Sequence, residues 1–311
     1  LIRRTERDKL VGGPLWPITR HNLMDVIYML HVKLALGTFG HWTLGIVAVL
    51  WTLDCFVGFY LTLPVRKLSN TVIKPKFSPR KNRLVRWLPA WLVTWRGQAY
   101  RINFKLHTAA GLWTWVMLLV FAWSSVYFLL GTQVYQPVMK MFGMRPMLEE
   151  FYAMPSLPQP RLSPALSWRE AAATGERLAA ERAPIEGFIP GRALNLQYEE
   201  DSGLFIYTMA SSRGLADDSL GTIICFDGDS GALWKVFHLT GQDAGTTFTA
   251  WIALLHTAKI WGMPFRIFVC VMGLVVVMLS ITGVYIWFKK WKARRSSKEK
   301  HARLVEQEAS A

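Results

Sequence analysis

Cysteine is scarce and scattered. Cys55, Cys225 and Cys270 are the only three, and they form neither a close pair nor a Cys-x-x-Cys-His run. A disulfide framework and thioether attachment of a haem are both excluded. There is no nucleophile elbow, P-loop, dinucleotide fingerprint or HExxH motif, which removes the reaction classes those motifs carry. Acidic residues are absent from Pro64 to Leu106, where 11 Lys and Arg stand. Charge of either sign is missing from Ala109 to Leu130 and from Ile267 to Phe288, and Trp42 to Leu63 holds only Asp54. The chain opens Leu1-Ile2-Arg3-Arg4, with no initiator Met and no signal peptide.

Three apolar stretches of 22 residues therefore stand out. Each is long enough for a helix to cross a hydrocarbon core about 30 Å thick. Hydrophobic residues make up 52% of the chain and Trp occurs 15 times, which suits a membrane protein with a folded extramembrane part. The net charge of +15 does not indicate nucleic acid, because it is unevenly distributed. Residues 131–250 carry 9 Lys and Arg against 14 Asp and Glu, whereas 289–311 carry 8 against 3. Basic segments alternating with an acidic one place 64–106 and the tail in the cytoplasm and 131–250 outside. Residues 1–41 then also lie outside. With no means of export in view, a fourth span is expected upstream of the sequence, with both termini cytoplasmic.

The spans repeat a local pattern. Leu30-His31, Leu106-His107 and Leu255-His256 each precede one. A shift of 225 residues superposes His31 on His256, Gly37 on Gly262, His41 on Arg266, Gly58 on Gly283 and Tyr60 on Tyr285. Asn22 to Phe39 has helical spacing and is either an interfacial lead-in or the top of a long helix. Arg83 to Arg96 places Trp87, Trp91 and Trp95 at spacing four, which predicts an interfacial helix on anionic lipid. Asp54 is either bonded to a neighbouring helix or placed to support a cofactor. The aromatic residues Trp113, Trp115, Phe121, Trp123, Tyr127 and Phe128 face lipid or touch a flat cofactor.

The outer segment reads as one helix and a meander. Ser167-Trp-Arg-Glu170 is a capping box opening a helix that ends near Arg182. Ala193–Tyr198 with Leu204–Met209, and Gly221–Phe226 with Ala232–Phe237, predict two hairpins. Asp227-Gly-Asp-Ser-Gly231 predicts a tight turn, since the calcium-loop spacing is absent.

Histidine carries the functional question. His301 lies in the charged tail, and solvation accounts for His21 and His238. By topology His31, His41 and His256 are near the outer face and His107 near the inner one. Two imidazoles at one level can bind one b-type haem axially, held by ligation alone. Zinc would need more ligands than are placed here. The rival reading for His31 and His256 is interfacial hydrogen bonding. His41 competes as a ligand, but its repeat partner is Arg266, which suits a haem propionate instead. His107 would need a partner from the upstream helix and would hold a second haem.

The sequence resembles the PepSY-associated transmembrane helix family of bacterial inner-membrane proteins. The residues that carry the resemblance are Arg20 to His31, Gly45 to Pro64, Asn103 to His107 with Gly111-Leu-Trp113, Leu255-His256 through Gly283-Val-Tyr-Ile-Trp287, and the Asp-Gly-Asp-Ser-Gly-Ala-Leu turn. The resemblance implies a membrane α-helical bundle, with three spans visible, and a small periplasmic α+β PepSY-like domain. The expected division is 1–20, end of an external segment; 21–63, lead-in and span; 64–106, basic cytoplasmic loop; 107–130, span; 131–250, periplasmic domain; 251–290, span; and 291–311, cytoplasmic tail. Some members look like di-haem reductases that release iron from a ferric siderophore, which implies His31, His107 and His256 as haem-iron ligands. The chain departs from the family in lacking its usual first helix, and Lys105 stands where an acidic residue is common. The expected partners are a ferric siderophore, a quinol or cytoplasmic electron donor, and lipid. No side chain is expected to act on substrate directly. Two rivals are a siderophore permease, which needs a polar cavity at midplane, and a PepSY-type regulatory protein, which would be colourless.

Overall fold

The computed structural model describes residues 18–20, 22–64, 83–144, 154–215 and 221–309. Most of the expected external segment 1–20 and residues 65–82 of the basic loop lie outside the described residues. The chain divides into two compact units, residues 1–49 with 121–265 and residues 50–120 with 266–311. Three helices are long and apolar enough to cross a membrane, over Gly37–Thr62, Ala99–Leu129 and Gly262–Ser297. The protein is accordingly a multi-pass membrane protein.

The first unit opens with α1 (Leu23–Lys33), followed by the start of α2 (Gly37–Thr62). Leu34 and Ala35 take positive φ of 53° and 55°, and the amides of both bond back into the last turn of α1. Side-chain-bearing residues rarely adopt that conformation, so the segment from Asn22 is a separate helix and not the top of a longer one. The second copy of the pattern breaks likewise. After α7 (Ala244–His256), Ala258 and Trp261 have φ of 52° and 55°, and α8 (Gly262–Ala309) begins. Gly37 and Gly262, equivalent under the shift of 225, both start their long helices at positive φ, 57° and 64°. The repeat seen in residue spacing is therefore a repeat of helix, reversal and span.

In the second unit, α3 (Arg83–Trp87) and a single 3-10 turn (Leu88–Ala90) replace the helix expected through Arg96. Pro89 disfavours helical backbone at the residue before it, and Trp91 onward is not helical. Trp87 and Trp91 still meet edge to face at 5.2 Å. Trp91 offers its carbonyl to Trp113 Nε1 at 3.0 Å, and Trp87 Nε1 donates to Thr62 Oγ1 at 3.2 Å. Next, α4 (Ala99–Leu129) starts early enough that His107 lies two turns inside it. The last turns of α4, and a short α5 (Gln136–Met141) that follows after one wider turn, belong to the first unit.

The α+β module comprises α6 (Trp168–Glu186) and strands β1 (Pro190–Glu199), β2 (Leu204–Ser211), β3 (Thr222–Asp227) and β4 (Leu233–His238). The capping box forms: Glu170 N donates to Ser167 Oγ, and Ser167 N to Glu170 Oε2. α6 runs past Arg182 to Glu186 and stops at Gly187, φ 65°. The strands are antiparallel in the order β1-β2-β3-β4, as a meander requires. Alternate residues sort the core. Phe205, Tyr207 and Met209 face α6 with Ile224, Phe226 and Val236, while Ile206, Ile223, Cys225 and Phe237 form the opposite cluster. Gly175 permits this close packing, since a Cβ there would lie 2.5 Å from the Tyr207 ring.

Candidate functional site

The structure brings His31 and His256 together within the first unit. His31 is in the last turn of α1 and His256 is the last residue of α7. α7 is fixed at its other end by Asp243, whose side chain accepts from Thr246 N at 2.7 Å. The two imidazole centres are 6.1 Å apart, with ring planes at 60°. A bond from metal to imidazole nitrogen is about 2.0–2.1 Å, so two rings facing one metal from opposite sides stand roughly that far apart. The separation of the two rings is that of a pair of imidazoles sharing one metal ion. His256 is half-buried, with Phe121 and Phe128 edge-on at 5.5 and 5.4 Å. Its Nδ1 is 2.7 Å from Ser124 Oγ, and Ser124 is fully buried. Burial, and then the neighbouring His31, push His256 down to about 4. It is neutral at ordinary pH, the form that ligates.

His107 has a comparable setting in the second unit. Its Nδ1 lies 2.9 Å from Thr282 Oγ1 on α8. A Cβ at Gly283 would come within 3.3 Å of His107 Cε1, so glycine there leaves the ring its place. Among the described residues no second histidine stands beside it. His41, on the second turn of α2, packs edge-on against Trp42 at 6.4 Å. Arg266 is exposed on α8 and makes no ion pair among the described residues. Asp54 is also exposed, and among the described residues it forms no hydrogen bond to a neighbouring helix.

Among the described residues the α+β module offers no competing centre. Among the described residues no three His, Cys, Asp or Glu side chains converge on a metal site. Asp227 closes the expected tight turn, its Oδ1 accepting from Asp229 N at 3.0 Å and Ser230 N at 2.8 Å. Arg161 pairs with both Asp227 and Asp229. Cys225 is fully buried, and burial pushes its thiol up to about 12, so it is no nucleophile at neutral pH. His238 corrects the expectation of a solvated ring. It is buried between Thr222 Oγ1, 3.1 Å from Nδ1, and Glu186 Oε2, 2.9 Å from Nε2.

Residue patterns indicated the histidines but not Ser124, Thr282 or Gly283 as their immediate neighbours. Phe121 and Phe128 were placed between lipid contact and cofactor contact, and they flank His256. Only the rotation of each helix decides such neighbours. The one available signal was that a hydroxyl in an otherwise apolar span must find an acceptor or donor.

A sequence profile for the family described as "PepSY-associated TM region" matches residues 4–290. No curated protein matches the chain.

Proposed function

The chain belongs to the PepSY-associated transmembrane family, and from that premise we propose that it is a haem-dependent ferric-siderophore reductase of the bacterial inner membrane. The reading rests on one observation above the others, the 6.1 Å approach of His31 and His256 at equivalent positions of a structural repeat. These two would hold one b haem, and His107 with a further ligand would hold a second. Haem held by two histidines supplies one-electron transfer at an iron with no open coordination position. The substrate is therefore reduced from outside the haem, and the residues have to bind, orient and shield rather than admit it. His31 and His256 bind. Phe121 and Phe128 pack against the His256 ring and keep water from it. The α+β module, taken as periplasmic, would contribute the surface the substrate meets.

Electrons would come from a quinol or a cytoplasmic donor and pass to Fe(III) held by a siderophore. The hard hydroxamate or catecholate oxygens that grip Fe(III) hold Fe(II) weakly, so reduction releases the iron.

The test is spectroscopic. Freshly purified full-length protein is expected to show Soret and α bands that sharpen on reduction. Adding a ferric hydroxamate under anaerobic conditions should reoxidise them and yield Fe(II) to a ferrous chelator. Colourless protein, or reduced bands that persist with substrate, would overturn the proposal.

A further inference from the structure

We propose that Ser124 and Thr282 are positioning residues that commit His256 and His107 to metal ligation through Nε2. This rests on the haem reading above. The argument is a count of protons. A hydroxyl has one proton to donate and lone pairs to accept with. Ser124 Oγ lies 3.1 Å from Phe121 O, a carbonyl that only accepts. Thr282 Oγ1 lies 2.8 Å from Met278 O and 3.2 Å from Leu279 O. Each hydroxyl therefore has a carbonyl of its own helix to donate to, and Phe121 O and Leu279 O, which can only accept, also act as acceptors toward the His256 and His107 rings. What the oxygen turns to the imidazole, at 2.7 Å for His256 and 2.9 Å for His107, is a lone pair. The matching Nδ1 must then be N–H. A neutral imidazole has one N–H, so the free lone pair sits on Nε2 and only Nε2 can coordinate.

Other hydroxyls in the spans set the comparison. Thr108, Thr114, Ser125 and Ser280 also bond back to their own helices, and among the described residues their hydroxyls meet no imidazole. Back-bonding alone is ordinary in an apolar helix. Ser124 and Thr282 differ in the second bond, and both are buried, at 0% and 4% exposure. The device occurs twice on different helices: Ser124 of α4 serves His256 of α7, and Thr282 of α8 serves His107 of α4. An Nδ1–H bond fixes the ring and makes the ligand more basic, which favours ferric over ferrous iron. Loss of either hydroxyl should raise the midpoint potential of one haem alone.

The experiment uses full-length haem-loaded protein, with redox titration and low-temperature EPR. Ser124→Ala should raise one midpoint potential and move one low-spin g value, leaving the other haem as in wild type. Thr282→Ala should do the converse. Ser124→Thr and Thr282→Ser should restore both readings. Loss of one haem in an alanine variant, regained in its conservative partner, also supports the assignment. Haem-loaded alanine variants with unshifted potentials and g values would overturn this inference and leave the reductase reading standing. Wild type without haem would remove the reading it rests on.

Discussion

The α+β module and the membrane-spanning helices bury their apolar side chains by opposite rules. Phe205 and Phe226 in the module have no exposed surface, while Leu61 and Trp287 on the spans are 74% and 64% exposed. The module is completed by its own residues, with α6 on one face of the sheet and a second cluster on the other. The spans present apolar side chains outward, as a chain whose solvent is lipid must, and the imidazole pair lies among their connections. The difference teaches where each property resides. Stability in water is a matter for the module, and under the function proposed above chemistry would be a matter for the helices and their histidines.

That separation can be broken or sharpened by substitution. Phe205→Ala should cost the module about 3–5 kcal/mol, as large-to-small changes in a closed core do. Calorimetry or denaturant unfolding would read the loss, and the Soret band of the folded protein should be unchanged. A Soret change as large as the stability change would break the separation. Gly175→Ala should cost about 1–3 kcal/mol, because the added methyl meets the Tyr207 ring and either α6 or the sheet must shift. Gly283→Ala addresses the other region. Its methyl would press on His107 Cε1 at 3.3 Å and should alter the EPR signal of one haem while leaving module unfolding unchanged.

The smallest expected effect is in pH. Burial alone would raise the Asp227 carboxyl, but bonds from Ser230, Asp229 N and Arg161 outweigh it and hold it at about 2, below its ordinary 3.8. A depressed carboxyl stabilises the fold fully above pH 3.8, and that contribution is lost as pH falls towards 2. With its side chain 34% exposed, screening reduces the contribution to about 1 kcal/mol. Asp227→Asn should flatten acid unfolding of the module over that window. An unchanged profile would show that the Arg161 pairing is not felt in stability.

The legible parts of this fold are those encoded by composition over many residues. Apolar runs gave the three spans, turn residues gave the hairpins, and Ser167 with Glu170 gave the start of α6. The His31–His256 pairing was legible because the repeat carries both residues in one register with Gly37 and Gly262. The helix breaks at Leu34 and Ala258 were not, since neither residue favours positive φ and only tertiary packing imposes it. The early end of α3 was marked by Pro89, yet the spacing of the Trp residues argued for a longer helix. Ser124 and Thr282 were hidden because a hydroxyl in a span reveals its partner only when the helices are rotated into place.

Haem content per chain, measured on His31→Ala, His256→Ala and the double variant, bears most directly on the central claim. If the two imidazoles share one iron, each single variant loses the same one haem and the double variant loses no more. Retention of that haem in either single variant, or a further loss in the double, would contradict the account.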